Sequence, residues 1–213
     1  MNQKVYVNVV LVIIIVILGG ALGYLMLVKK SPPAAQQTPT TNWGSLTPDI
    51  KIALEKALPE KTFRDENVRV ITEEDVTDDG SPEALVNIGC GATTCELVLM
   101  RIENNEPTVA RFKLKEGEIS YLVLTSGIGG AGRYGSDTKL IGDKNAIYYS
   151  GYSAYNESGD FCGAQVYQWN PQTNIFEFNN SLSNEASKDY CSKICSEKAL
   201  DPNLKPYFQR ICH

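Results

Sequence analysis

Residues 96–125 read ELVLMRIENNEPTVARFKLKEGEISYLVLT, and this stretch decides the fold class. It contains three short apolar runs, at 96–102, 108–114 and 119–125, each of the usual length of a β-strand. Two turn signals separate them, the Asn- and Pro-containing segment 104–107 and the dipeptide Glu116-Gly117. Strands joined by such short turns pair with each other, so the stretch predicts consecutive antiparallel hairpins.

Further elements extend outward from these hairpins in both directions. Strand-like runs recur at 68–72, 84–88, 146–149, 164–169 and 175–178. Thr47-Pro48 predicts the start of a helix that ends near Leu58, before Pro59. Its apolar stripe is Ile50, Ala53, Leu54, Ala57 and Leu58. A second helix is predicted over 183–199, with a short segment near 206–212. We therefore expect an α+β, mainly β domain over 43–213, in which helices flank an antiparallel sheet.

Residues 5–28, VYVNVVLVIIIVILGGALGYLMLV, contain no charge. As a helix they would rise about 36 Å at roughly 1.5 Å per residue, which exceeds a hydrocarbon core of about 30 Å. The run predicts one transmembrane helix in contact with membrane lipid, preceded by a short flank, 1–4. A cleaved signal peptide is the alternative, although the run is longer than a usual signal core.

Residues 29–42, KKSPPAAQQTPTTN, contain three prolines and no large apolar residue, so they predict an extended linker. The remaining 43–213 hold 17 Lys and Arg against 25 Asp and Glu, a balance of −8. This charge disfavours nucleic acid as a partner. Lys29 and Lys30 favour a cytoplasmic position for this side of the helix, but six cysteines beyond residue 89 favour an oxidising space. We expect the domain to be extracytoplasmic.

The segment 75–83, DVTDDGSPE, precedes an apolar strand and has oxygen-bearing side chains at alternate positions. Such spacing around a turn glycine can hold a hard cation such as calcium. The candidate ligands are Asp75, Thr77, Asp79, the Ser81 carbonyl and Glu83. Val86 stands where an EF-hand needs a bidentate acid, which disfavours that loop. The alternative is a metal-free acidic turn held by Asx-type hydrogen bonds.

The same residues, from Asp75 to Gly89, resemble a single FG-GAP or VCBS-type repeat, whose pattern is D-x-(N/T)-x-D-G-x-P-(D/E) followed by an apolar strand. The resemblance implies a calcium-loop hairpin like those of integrin-like β-propellers, with ligands at Asp75, Thr77, Asp79 and Glu83. The chain contains no second clean copy, and a propeller needs at least about four blades. An isolated hairpin module is therefore expected.

The six cysteines predict a disulfide framework, although six cysteines allow 15 pairings. Cys90 and Cys95 flank a plausible turn and can close a hairpin. Cys191 and Cys195 are four residues apart on the predicted helix and should reach outward rather than bond each other. The hypothesis pairs them with more distant cysteines, Cys162 with Cys191 and Cys195 with Cys212. The rival interpretation is a zinc site made by Cys191, Cys195, Cys212 and His213.

Other motifs carry weaker signals. The segment 127–132, GIGGAG, matches G-x-G-x-x-G, but no helix start follows it, so a surface loop is expected rather than a dinucleotide site. Ser136 and Lys139 have S-x-x-K spacing without companion motifs. The tyrosine-rich segment 148–155 predicts a strand leading into a loop. Exposed tyrosines there would suit a sugar or peptide ligand, and the alternative is packing in the core.

Catalysis is restricted because the chain's single histidine is its last residue, His213. A Ser-His-Asp mechanism or a histidine-ligated zinc would depend on that residue. No spacing among the acids singles out a catalytic pair. The sequence therefore favours a membrane-anchored envelope protein with a binding or structural domain and a protein or glycan partner. The alternatives are a carboxylate-dependent hydrolase and an accessory subunit of a membrane complex.

Overall fold

The computed structural model describes residues 43–154, 160–198 and 200–212. The predicted flank 1–4, transmembrane helix 5–28 and linker 29–42 lie outside these residues, as does His213. Within the described ranges, no helix is long and apolar enough to cross a membrane.

One large sheet dominates the described residues, and helices flank it. The strands are β1 (Arg69–Glu74), β2 (Glu83–Cys90), β3 (Thr94–Glu103), β4 (Glu106–Val109), β5 (Arg111–Lys113), β6 (Ile119–Tyr121), β7 (Leu124–Gly129), β8 (Tyr134–Ile141), β9 (Ala146–Ser153), β10 (Phe161–Asn170) and β11 (Ile175–Phe178). The α-helices are α1 (Thr47–Ala57), α2 (Asn180–Lys198) and α3 (Lys205–Phe208). The mainly β class with flanking helices is therefore confirmed, as is antiparallel pairing between most neighbouring strands.

The predicted hairpin turns are present, and each has the expected local chemistry. Asn104 and Asn105 join β3 to β4 with φ values of 53° and 66°, which is the left-handed conformation that a two-residue hairpin turn requires. Gly117, with φ of 90°, lies in the turn between β5 and β6. The predicted strands 108–114 and 119–125 are each divided into two, and β8 is a strand that the sequence did not predict.

The sheet closes on itself because one strand bends and continues. Its hydrogen-bonded order is β1-β2-β3-β7-β8-β9-β10-β11-β5-β6, and β4 pairs separately with β3. Since β4 runs through Ala110 into β5, the path that leaves β3 through β7 returns to β3 through β11, β5 and β4. The Ala110 amide donates to the Leu99 carbonyl across this junction at 2.9 Å. The pairing of β5 with β11 is parallel, with Phe112 opposite Phe176.

A first apolar core packs against the closed strands. Every strand from β7 to β11 contributes to it, together with β2, β3 and β5. The Phe112 ring packs against two neighbours, stacked on Phe176 at 5.5 Å between centroids and edge-on to Tyr167 at 5.2 Å. The buried members are Val76, Leu85, Leu97, Leu99, Ala110, Phe112, Leu124, Leu140, Ile147, Tyr167 and Phe176.

A second core lies between α1 and the opposite faces of β2 and β3. Side chains of a strand alternate between its two faces, so Val98 and Met100 face α1 while Leu97 and Leu99 belong to the first core. The predicted stripe of α1 is confirmed, because Ile50, Leu54 and Leu58 are buried and Ala53 and Ala57 are partly buried. Trp43 is fully buried here, and its indole N–H donates to the Pro82 carbonyl at 2.9 Å.

Helix α2 covers the part of β10 that β11 leaves unpaired. Ser187 Oγ accepts a hydrogen bond from the Ala164 amide at 2.8 Å and donates to the Ala164 carbonyl at 3.1 Å. Ser183 Oγ accepts from the Val166 amide at 2.9 Å. Buried backbone groups at a strand edge need such partners. Two helical serines therefore replace a neighbouring strand, which explains how a mostly polar helix packs against the sheet.

Three disulfides reinforce these packings, and all six cysteines lie within them. Cys90–Cys95 closes the end of the β2–β3 hairpin, Cys162–Cys191 joins β10 to α2, and Cys195–Cys212 joins α2 to the segment after α3. These are the pairs that the spacing suggested. Because the cysteines are oxidised, the rival zinc site at Cys191, Cys195 and Cys212 has no thiolates to offer.

The disulfides should contribute unequally to stability, because they close loops of different length. Replacing both Cys162 and Cys191 by Ser should lower the free energy of unfolding by about 3.5 kcal/mol, because their bond joins residues 29 apart. The same change at Cys90 and Cys95, only five apart, should cost about 2 kcal/mol. Urea unfolding of the oxidised proteins measures both. An equal or larger loss for the hairpin pair would contradict this ranking.

Candidate functional site

The predicted calcium ligands lie in the turn that joins β1 to β2, and most of their oxygens accept hydrogen bonds from that turn. Asp75 Oδ1 accepts from the Asp78 amide at 2.7 Å and the Thr77 amide at 3.3 Å, while Oδ2 accepts from the Gly80 amide at 2.9 Å. Asp79 Oδ1 accepts from the Ser81 amide at 2.8 Å. These are Asx-type bonds within the turn.

Glu83 is the buried acid of this turn, with 1% of its surface exposed. Its Oε2 accepts from the Val76 amide at 2.9 Å, and its Oε1 accepts from the Thr77 hydroxyl at 3.0 Å. Burial, together with the nearby Asp79 carboxylate, raises the pKa of Glu83 to about 7. The two hydrogen bonds and the Arg101 guanidinium act in the opposite direction without cancelling the effect of burial.

These contacts bring no set of calcium ligands together among the described residues. Calcium in proteins takes six to eight oxygen ligands, with carboxylates directed at the metal. Here both Asp75 oxygens and both Glu83 oxygens already accept hydrogen bonds from the turn. Among the described residues, no group of three or more acidic, histidine or cysteine side chains is arranged to hold a metal. The calcium prediction is therefore unsupported, and the geometry matches the alternative of a self-capped turn.

A cation of the protein itself lies beside this turn. Arg101, on β3, is 6% exposed, and its Nη2 is 3.8 Å from Asp79 Oδ2. Its Nη1 donates to Asn174 Oδ1 at 2.7 Å and is 3.2 Å from Glu103 Oε1. The guanidinium carbon lies 4.2 Å from the centroid of the Trp169 ring. The sequence analysis missed this residue, and its signal was a single charge within the apolar run LVLMRI.

A groove of about 640 Å³ lies between α1 and the β3–β4 hairpin. Two exposed apolar side chains line it, Ile52 at 64% exposure and Tyr121 at 40%. Charges of both signs lie along its walls, with Lys56 and Arg111 among the bases. The acids are Asp49, Glu103 and Glu106. No spacing rule in the sequence indicated this groove, because α1 and β4 are brought together by packing.

The glycine motif 127–132 is structural rather than a phosphate loop. Its first glycines, Gly127 and Gly129, belong to β7, which corrects the expectation of a surface loop. Gly130–Gly132 is a short 3-10 turn that leads into β8, so no helix amino terminus follows the glycines. The Tyr134 ring packs over Gly129, its partner in the β7–β8 register, where any side chain would overlap the ring.

Tyr149 and Tyr152 of the tyrosine-rich segment, and the S-x-x-K pair Ser136 and Lys139, make contacts with other residues of the domain. Tyr152 is buried against Phe208, and the Tyr149 hydroxyl lies 3.0 Å from Thr125 Oγ1. Packing in the sheet therefore accounts for both tyrosines, while Tyr155 lies outside the described residues. Ser136 Oγ lies 2.8 Å from Thr125 Oγ1, whereas Lys139 is exposed and pairs with Asp137 at 3.3 Å. Ser136 and Lys139, three apart on one strand, point to opposite faces.

Comparisons with protein-family models, with curated proteins and with solved structures found no match for the chain. The resemblance of residues 75–89 to an FG-GAP repeat therefore stays a prediction.

The buried carboxyl predicts a pH dependence of stability. Its pKa is raised from an ordinary value of 4.5 to about 7, so between these values the folded protein keeps a proton that the unfolded chain releases. The free energy of unfolding should fall as pH rises through this window, on the order of 3 kcal/mol relative to Glu83→Gln, which cannot titrate. Urea unfolding at several pH values measures this. Asp78→Asn, an exposed acid in the same turn, is the matched control. Parallel curves for wild type and Glu83→Gln would contradict the assignment.

A second prediction concerns Gly127, whose φ of 144° favours glycine. A Cβ there would overlap the Thr93 carbonyl and lie 2.8 Å from the Thr94 Cα, both of which are backbone. We expect Gly127→Ala to cost at least about 2 kcal/mol of stability. Gly89→Ala is the control, since no atom lies within 4 Å of its Cβ position, and it should change stability by about 0.5 kcal/mol or less. Similar thermal melts for the two variants would contradict the packing argument.

Proposed function

We propose that the chain is a single-pass, membrane-anchored envelope protein whose extracytoplasmic domain, residues 43–213, has a binding or structural role. The observation that carries this proposal is the set of three disulfides that together use all six cysteines. Such frameworks persist in oxidising spaces and are rare in the cytosol. The uncharged run 5–28 precedes the domain and has the length of a membrane anchor.

The groove between α1 and β4 supports a binding role. Exposed apolar side chains on opposite walls, Ile52 and Tyr121, suit contact with a partner's apolar residues. Charges of both signs beside them suit a polypeptide, which can present both acids and bases. The proposed partner is therefore an extended segment of another protein rather than a neutral glycan.

The hydrolase alternative has less support from the described residues. A general acid needs a raised pKa and access to substrate. Glu83 has the raised pKa, but it is 1% exposed and does not line the groove. The accessory-subunit alternative is compatible with the same groove, since a partner held by 5–28 could also contact the domain.

Topology is tested by counting thiols in cells that express the full chain and are lysed directly into denaturant. A maleimide-polyethylene glycol reagent added under denaturing, non-reducing conditions should modify none of the cysteines, and all six after reduction. Carbonate washing should leave the protein in the membrane fraction. Ile14→Arg with Ile15→Arg should release it or abolish export, because a charge at the helix centre costs about 2.5–3.5 kcal/mol. Ile14→Leu with Ile15→Leu is the control. Six free thiols in the wild type would contradict the proposal.

The groove is tested by placing a photo-crosslinking amino acid at position 52 or at position 200 of the anchored protein. Leu200, 83% exposed and outside the groove lining, is the matched control. A defined adduct is expected from position 52 and should be lost when Arg111→Glu reverses a groove charge. Equal adducts from both positions would contradict a role for the groove, and would leave the topology result unaffected.

A further inference from the structure

We propose that Arg101 supplies, from within the protein, the positive charge that balances the acidic turn between β1 and β2. The turn then needs no metal ion. The turn's sequence is spaced like a cation loop, but its carboxylates are met by the turn's own amides and, at Asp79, by Arg101.

The turn has a need for positive charge. Four acids, Asp75, Asp78, Asp79 and Glu83, lie within nine residues, and Glu83 is buried. Like charges so close repel one another, and the Asp79 carboxylate adds to burial in raising the pKa of Glu83. Hydrogen bonds from the turn satisfy the oxygens of Asp75 and Glu83 but bring no net positive charge.

Arg101 is placed to meet this need. Its guanidinium is 3.8 Å from Asp79 and acts electrostatically on Glu83. It also contacts Glu103, its neighbour but one on β3, at 3.2 Å. One buried cation therefore faces carboxylates from the turn and from the strand.

The position of Arg101 is fixed from several directions. The Trp169 ring of β10 packs against the guanidinium, and Asn174 of the β10–β11 turn accepts its hydrogen bond. Glu103 also accepts a hydrogen bond from the Asn174 amide at 3.1 Å. The acidic turn, β3 and the β10–β11 hairpin, which are remote in sequence, thus meet at one charge.

The Nη1 and Nη2 atoms of Arg101 face carboxylates, whereas its Nε makes no hydrogen bond to a described residue. This Nε is buried. A buried donor without an acceptor is destabilising, so an apolar side chain would be the better occupant if only volume mattered. The cation is kept because the carboxylates around it would otherwise be unbalanced.

The test uses the full chain in detergent micelles and compares thermal melting with calcium and with a chelator. For the wild type we expect the same melting temperature in both, and no terbium luminescence sensitised by Trp169. A calcium-dependent rise in melting temperature, or sensitised terbium emission, would overturn the proposal. This arm needs no variant.

The second arm removes the charge. Arg101→Met should melt several degrees below wild type, and Arg101→Lys should lie between them because it keeps the charge. Adding Asp79→Asn to Arg101→Met should restore part of the loss, since it removes the carboxylate left unbalanced. Lys61→Met is the matched control, because Lys61 forms a partly exposed ion pair with Glu96 at 2.7 Å, and such pairs contribute little.

Two results in this arm would overturn the proposal. One is an Arg101→Met protein as stable as the Lys61→Met control. The other is an Arg101→Lys protein no more stable than Arg101→Met together with no restoration by Asp79→Asn. If Arg101→Met does not fold, the test uses Arg101→Lys and Asp79→Asn, alone and combined. These proteins should fold, and Arg101→Lys should lower the melting temperature less in the Asp79→Asn background than in the wild type.

Discussion

The rest of the described structure depends on the bend at Ala110, where one strand leaves β3 and joins β11. Before the bend, β4 pairs with β3, and after it, β5 pairs with β11. An open sheet of this size would expose a long edge on each side. By joining β3 to β11, the bend lets Phe112 pack against Tyr167 and Phe176, both members of the first core.

Closure of the sheet also positions Arg101 and the groove beside α1. It brings the β10–β11 turn, through Asn174, beside Arg101 on β3. The acidic turn leads into β2, which pairs with β3, and this pairing places Asp79 of the turn beside Arg101. The groove follows from the same arrangement, since α1 packs on β2 and β3 and leaves Ile52 facing the β3–β4 hairpin.

Local chemistry made much of this fold predictable. The helix over 47–57, the asparagine hairpin turn and the Cys90–Cys95 disulfide each follow from neighbouring residues. Strand β8, Tyr134–Ile141, was missed because its sequence YGSDTKLI contains Gly, Ser and Asp, which favour turns. Its strand conformation comes from pairing with β7 and β9 on its two sides. Closure at Ala110 and the contacts of Arg101 join residues remote in sequence, which no periodicity reveals.

The acidic turn shows the limit of motif spacing most clearly. Its sequence places oxygen atoms correctly for a cation, but spacing cannot reveal which donors they bond in the folded chain. That depends on the burial of Glu83 and on an arginine 18 positions later, both of which are tertiary features.

The central claim, closure of the sheet at Ala110, is tested most directly by native-state hydrogen exchange measured by NMR. The Ala110 amide, which donates to the Leu99 carbonyl at 2.9 Å, should exchange only through global unfolding, as slowly as the Val98 amide in the middle of the sheet. Exchange of the Ala110 amide at the rate of an exposed strand edge, while the Val98 amide stays protected, would show that the sheet is open and would contradict the account.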